Sequence, residues 1–350
     1  MITDSRVLAL QEMTPEALAR CLPVTPAEAR KIVAAVHRGS PLTRLEGVRR
    51  TALAAARAGG HVPTLSVRTV RASALDPFVK LALSTEDGHV IETVRIPLER
   101  AGRFSVCVSS QAGCALACAF CATGRLGLAR NLAAWEIVEQ VRMVRGTLAR
   151  GQRVHGVVFQ GMGEPLANVE RVLDAIRVMS DPCALAIDSR AITVCTAGLP
   201  GGIRRLAREA PKVRLGVSIA SARAEVRRRL MPIDEAQPLR EVIEAVEEHA
   251  RATGLSPMWA VTPLAGVNDT DEDAQALADL VRGFTERTGI RPRVSVVPYN
   301  AIDEAGRDPF ARGDVAVFVQ RLVAHGVRPH LRYSGGSDVQ AACGQLAGVA

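Results

Sequence analysis

Cys114, Cys118 and Cys121 stand in one short segment, CVSSQAGCALACAFCATGR, with the spacing Cys-x3-Cys-x2-Cys. Thiolates at such intervals suit soft metal chemistry. Zinc asks for four ligands, usually a second CxxC or a pair of histidines. No histidine lies within thirty residues after Cys121, and there is no second CxxC. A [4Fe–4S] cluster held by three thiolates, with its fourth iron open, fits the count better. The bland rival is three small buried hydrophobes in a row. The remaining cysteines, at 21, 107, 183, 195 and 343, are scattered. In a cytosolic chain they are expected as thiols rather than disulfides.

Two further segments could do chemistry. Gly161-Met162-Gly163-Glu164-Pro165 follows the apolar run VVFQ. Glycines at a strand end let backbone approach a ligand closely, and Glu164 can accept hydrogen bonds from a ligand ammonium. An ordinary strand-to-helix turn would look the same. Near the C-terminus, RYSGGSDVQAACGQL sets Cys343 among small residues after two glycines. An uncrowded sulfur of that kind suits a nucleophile more than a core filler.

The elements that must position these groups read as follows. TPEALARCL and TPAEARKIVAAVHRG begin like helices, each with a capping threonine, and Gly39 closes the second. RLEGVRRTALAAARAGG predicts a third helix, so residues 1–75 read as a small helical domain. FVKLALSTEDGHVIETVRI changes to a period of two around Asp87-Gly88, a hairpin signal, and residues 76–99 form a linking extension. Over 100–335 the strand candidates are FSVCVS, GVVFQG, AITVCT, VRLGVSIA, PMWAVTPL and RVSVVPYN, with helices between them. Six such units predict an α/β fold with a parallel sheet, a partial (β/α)6 barrel rather than a closed one of eight. In that architecture the chemistry sits on loops after the strand C-termini, where the cysteine triplet falls. Residues 336–350 form a tail carrying Cys343.

Composition bounds the rest. The chain has 350 residues, 48% of them hydrophobic and 3% aromatic, with a net charge of +8. That excludes disorder and collagen-like structure. No apolar run approaches the ~20 residues of a membrane span, and the acidic N-terminus lacks a signal-peptide core. A soluble, cytoplasmic protein is expected. Nearly all basic residues are Arg, which suits phosphate but also follows from genome base bias. The paucity of aromatics argues against a base-stacking platform. Arg227-Arg228-Arg229 reads as a solvated helix end that could also touch RNA phosphate.

Taken together, CVSSQAGCALACAFCATG, GMGEP, VPYN and AACGQL, in this order, resemble the RlmN/Cfr family of radical S-adenosylmethionine (SAM) RNA methyltransferases. The resemblance runs from about Gly88 to Leu346. It implies a radical-SAM barrel with an N-terminal accessory domain that binds RNA. By resemblance Cys114, Cys118 and Cys121 hold the cluster. Gly163, Glu164 and Asn300 contact SAM, together with Cys195 and the stretch Ser218-Ile219-Ala220. Cys343 is methylated and carries the methyl group, Cys107 resolves the protein–RNA adduct through a disulfide, and Glu92 accepts the ring proton. Two SAM molecules serve each turnover. The first methylates the sulfur; the second yields a 5′-deoxyadenosyl radical that activates the methyl group for an electron-poor adenine carbon. The implied partners are 23S rRNA, tRNA and an electron donor such as flavodoxin, with the enzyme a monomer.

The sequence departs from the family in places. Cys195 stands where Ser is usual, Ala220 where His or Asn is usual, and Leu128 where Phe is usual. SGGSDVQ before AACGQL is closer to the Cfr-like form. C2 of adenosine is the expected target. C8 methylation, a radical-SAM enzyme on a non-RNA substrate, and an inactive RNA-binding relative are the alternatives.

Overall fold

The computed structural model describes residues 7–302 and 308–348. The chain opens with helices α1 (Pro15–Cys21), α2 (Pro26–Arg38) and α3 (Arg50–Gly59). Thr14 and Thr25 start the first two, and Thr25 with Glu28 forms a reciprocal capping box. Gly39 ends α2 at φ 71°, a left-handed turn that glycine adopts without a Cβ clash. Ala29, Ile32, Val33 and Val36 form the buried stripe of α2 and pack with Leu53 and Ala56 of α3. The third helix starts at Arg50 rather than Arg44, because Gly47 at φ 67° breaks the run. A short parallel pair, β1 (Leu8–Ala9) with β2 (Gly60–His61), ties the two ends of this unit together.

The expected helical stretch 1–75 contains one further surprise, strand β3 (Ser66–Ala72). It is an edge strand, exposed along nearly its whole length and bulged after Val67, so no burial alternation marks it in the sequence. It leads into the expected hairpin, β4 (Val79–Ser84) and β5 (Val90–Pro97), which turns at Gly88. Strand β6 (Arg103–Val108) follows. Next comes a small ribbon of β7 (Gln111–Cys114) and β8 (Gly127–Asn131). Helix α4 (Ala134–Gly146) leads to β9 (Arg153–Phe159) and α5 (Val169–Ser180). After these come β10 (Ile192–Thr196), α6 (Pro200–Glu209), β11 (Arg214–Ser218), α7 (Ala224–Leu230) and α8 (Leu239–Thr253). The chain continues through β12 (Met258–Val261), α9 (Asp271–Thr288), β13 (Arg293–Val296), α10 (Val315–Ala324) and β14 (His330–Leu331).

One ten-stranded sheet runs in the order β3-β4-β5-β6-β9-β10-β11-β12-β13-β14. All six expected parallel strands are present, and β14 adds a short seventh beside β13. The strands from β3 to β6 pair antiparallel, and the rest are parallel. β3 and β14 remain the two edges of the sheet, so the barrel is open.

Paired residues share a face of a sheet. The register Val94↔Cys107↔Val158↔Thr193↔Arg214 therefore defines one surface, the inner one. Steps of two along the strands put Glu92, Cys195 and Ser218 on it as well. Helices cover the outer surface, where Trp259 meets Phe284 edge-to-face at 5.1 Å. The N-terminal helices dock on α4: Arg142 Nη2 donates to Val36 O at 3.0 Å, and Trp135 N to Glu12 Oε2 at 3.0 Å. Among the described residues no helix is long and apolar enough to cross a membrane.

Candidate active site

The site forms at the C-terminal ends of the parallel strands, in a cavity of about 170 Å³ open to solvent. Cys114, Cys118 and Cys121 line one wall of it. The β7–β8 ribbon brackets their loop, pairing Cys114 with Gly127. That pairing needs a glycine at 113: it sits at φ 82°, and a Cβ there would lie 2.0 Å from Gly127 O. The loop is fastened elsewhere by Ala119 N donating to Leu230 O at 2.9 Å and Ala122 N to Gly344 O at 2.8 Å. Burial pushes the Cys114 thiol up to about 11 and Cys118 higher still, with Cys121 adding to both shifts. Among the described residues no three metal-binding side chains close around a single ion. A four-iron cluster offers a separate metal corner to each thiolate, so it asks for wider spacing. Three half-buried thiols on one cavity wall, unpaired with one another, fit that group.

Gly163 and Glu164 follow β9 on the same cavity. Gly163 adopts φ 92° against the Gln111 side chain, where a Cβ would collide at 2.4 Å. Glu164 is buried, and its carboxylate accepts from Leu166 N at 2.9 Å and Ala197 N at 2.8 Å. Burial raises its pKa against those two bonds. The expected ligand acceptor thus also pins the loop after β10 to the loop after β9.

Cys195 ends β10 inside the cavity, with Sγ 3.8 Å from Gln160 Oε1, and burial pushes its pKa up to about 12. Ser218 and Ala220 line the next wall. Ala220 takes φ 56°, a left-handed conformation that Asn favours over Ala. Ile219 differs from the expectation: its side chain is fully buried in the hydrophobic core, so only its backbone reaches this region. Asn300 lies opposite and donates from Nδ2 to Ser334 Oγ at 2.8 Å and Cys343 O at 3.2 Å.

Cys343 borders this cavity and a second, smaller one behind it, which Cys107 and Arg332 also line. Burial raises the Cys107 thiol well above its usual range; Cys343 adds to this and Arg332 opposes it. All eight cysteines are free, so the expected Cys107–Cys343 disulfide is not a standing part of the fold. Glu92 is fully buried beside these cavities rather than in them. Lys80 Nζ lies 2.9 Å from its Oε1, while Ala347 N and Gly348 N donate to Oε2 at 2.9 and 3.3 Å. The tail that carries Cys343 therefore closes over Glu92. It is clamped at its other end by Asp76, which accepts from Tyr333 Oη at 2.8 Å and Gly336 N at 2.9 Å.

Several contributors escape sequence reasoning. Lys80 was signalled only as one of three lysines in an Arg-rich chain. Asn268 is buried and donates to Ala220 O at 2.7 Å and Thr262 O at 3.0 Å, holding two cavity loops. Arg227, expected on a solvated helix end, is buried instead. It donates to Asp234 Oδ1, Ser218 O and Ala197 O, each at 2.8 Å, and to Ile219 O. Arg228 and Arg229 are exposed, as expected. A helix presents only one face to the core, and the run of three hides which arginine occupies it.

Comparison with known proteins agrees with this geometry. The radical SAM superfamily profile matches residues 108–281. A probable RNA methyltransferase of Sorangium cellulosum is 59% identical, over 96% of this chain and 91% of its own. A probable dual-specificity RNA methyltransferase RlmN of Gloeobacter violaceus is 40% identical, over 81% of this chain and 79% of its own. The crystal structure of a radical SAM methyltransferase from Sphaerobacter thermophilus, 33% identical, superposes with a TM-score of 0.86, covering 98% of this chain and 100% of that one.

Proposed function

This chain belongs to the RlmN family of radical-SAM RNA methyltransferases, and from that premise we propose that it methylates C2 of an adenosine in 23S rRNA, and in tRNA, through a methyl group carried on Cys343. Cys114, Cys118 and Cys121 would hold a [4Fe–4S] cluster. Gly163, Glu164, Cys195, Ser218, Ala220 and Asn300, with the backbone of Ile219, would bind SAM, two molecules per turnover. Once bound, these groups supply the methyl group and the radical chemistry that an unreactive ring carbon needs. The reductant is of the flavodoxin class, and the enzyme works as a cytoplasmic monomer.

The observation that carries this reading is the place of Cys343, on the boundary between the cysteine-lined cavity and the Cys107 chamber. One sulfur can face the methyl donor on one side and its resolving partner on the other. Cys107 is shielded from solvent and shares its chamber with Cys343. Glu92 takes the ring proton, and Ala347 N and Gly348 N must first release its Oε2. Tail movement and base availability are then one event.

The test is nucleoside mass spectrometry of unmodified RNA incubated anaerobically with reconstituted enzyme, SAM and reductant. The account expects 2-methyladenosine. A second reading, C8 methylation, rests on the SGGSDVQ segment, whose Asp338 accepts from Ser73 Oγ at 2.7 Å and Ala74 N at 2.8 Å. 8-Methyladenosine would transfer the conclusion to it, and no methyladenosine in either RNA would refute both.

A further inference from the structure

The opposite end of the barrel has a chemistry of its own. Arginine is the first residue of four parallel strands: Arg103 in β6, Arg153 in β9, Arg214 in β11 and Arg293 in β13. Arg190 stands two residues before β10. Arg103 and Arg153 are direct ladder partners, an arrangement of like charges that by itself destabilises a sheet. The N-terminal strand ends border a cleft of about 580 Å³ open to solvent, lined by His155, Asp188, Arg190, Arg214, Arg293 and Arg332 among others.

This mouth lacks the anions that would balance it. Among the described residues none of Arg103, Arg153, Arg190, Arg214 and Arg293 is in an ion pair. Asp188 is the one acid lining the cavity, and its Oδ1 accepts from the Arg190 backbone N at 2.9 Å. Arg153 Nη2 meets only a neutral partner, His155 Nδ1, at 3.3 Å. At the inner end, Nη1 of Arg332 is buried with no hydrogen-bond partner. The crowding is felt: burial and then Arg214 pull Arg293 below the usual guanidinium range, and burial, Arg103 and Arg153 lower His155. Arg190, Arg214 and Arg293 line one concavity from neighbouring strand starts and stay exposed there, with forked donors that match phosphate oxygens.

We propose that the N-terminal mouth of the barrel, which shares Arg332 with the Cys107 chamber but opens at the end opposite the three-cysteine cavity, is a phosphate-binding site that takes the oxygens of an RNA backbone or of a free polyphosphate. The proposal does not depend on the methylation reading, and its test needs neither cluster nor SAM. The full chain is titrated calorimetrically with sodium tripolyphosphate and, separately, with a single-stranded RNA oligonucleotide at several salt concentrations. Arg214→Gln/Arg293→Gln is compared with Arg240→Gln/Arg282→Gln, an equal charge change on the exposed faces of α8 and α9. The mouth variant should weaken tripolyphosphate binding roughly tenfold while the control changes little. If RNA is the natural source, its affinity falls too, and the slope of log K against log salt drops by roughly 1.4 for two lost phosphate contacts. If RNA binding holds and only tripolyphosphate is lost, the source is a free polyphosphate. Should the mouth variant melt early, the single variant Arg190→Gln, at a third exposed arginine of the lining, gives the same reading. Equal losses in the mouth and control variants, or no loss of either ligand, would overturn the proposal.

Discussion

Replacing Arg227 with Met tests how the site is held together. The guanidinium is buried and makes four bonds to oxygen, at the Asp234 carboxylate and the carbonyls of Ala197, Ser218 and Ile219, and a fifth to Met231 Sδ. Those carbonyls follow β10 and end β11, so one side chain fixes two cavity walls. Met fills a similar volume but leaves Asp234 buried without its cation; Leu239 N, at 3.0 Å, is its one remaining partner among these bonds. Removing one member of a buried pair costs about 3–5 kcal/mol. Three orphaned carbonyls raise that, at about 1 kcal/mol each, partly offset where water enters. A total near 5 kcal/mol corresponds to a fall in Tm of roughly 7 °C for 350 residues, at about 2.1 cal/mol/K of unfolding entropy per residue. Circular dichroism melts of the cofactor-free protein would measure it, with Arg228→Met as a neighbour expected to stay within about 0.5 kcal/mol. The double variant Arg227→Met/Asp234→Leu should recover a substantial part, since it removes the stranded charge. If Arg227→Met melts within about 2 °C of the parent, the guanidinium does not tie these loops and the reasoning is wrong.

Three other outcomes follow from the same physics. Lys80→Met should destabilise the protein by about 3–5 kcal/mol, because Glu92 keeps only the Ala347 and Gly348 donors in a buried site; Lys80→Met/Glu92→Gln should melt higher than Lys80→Met alone, and equal melting would count against a buried ion pair. Gly163→Ala should lower SAM affinity at least about tenfold, read by equilibrium dialysis, since its Cβ meets Gln111 and its φ is left-handed; parental affinity would show that the turn tolerates a side chain. Stability should fall as pH drops below about 6.5. Buried His37 and His249 titrate near 3 and 4 when folded and near 6.5 when unfolded, so the unfolded chain binds the protons first. The slope is roughly 1.4 kcal/mol per pH unit for each proton. Urea melts at pH 7 and 5 would show it, and His249→Phe should flatten the dependence.

Much of the site was legible because its signals are local. The cysteine loop, GMGEP and the strand that precedes each can be read from a few adjacent residues, and the helix caps at Thr14 and Thr25 follow from neighbours three residues away. What was not legible depends on long-range pairing. Lys80 acquires meaning only when β4 lies beside β5, and Arg332 only when β14 completes the sheet. β3 escaped because an edge strand exposed along nearly its whole length carries no burial period. The core position of Ile219 was hidden for another reason. A motif names consecutive residues, whereas a strand end alternates them between the cavity and the core. The arginines that open β6, β9, β11 and β13 were each visible in the sequence, yet only the fold pairs Arg103 with Arg153 and brings Arg214 and Arg293 to one cavity.

The central claim is that the Cys343 sulfur carries the methyl group. Peptide mass spectrometry of the reconstituted enzyme, incubated anaerobically with methyl-labelled SAM and reductant before RNA is added, tests it most directly. The account predicts one labelled methyl group on the tail peptide containing Cys343, transferred to RNA on addition, with both signals lost in Cys343→Ala. Methylated RNA produced at the parental rate by Cys343→Ala, or a label that never resides on the tail peptide, would contradict it.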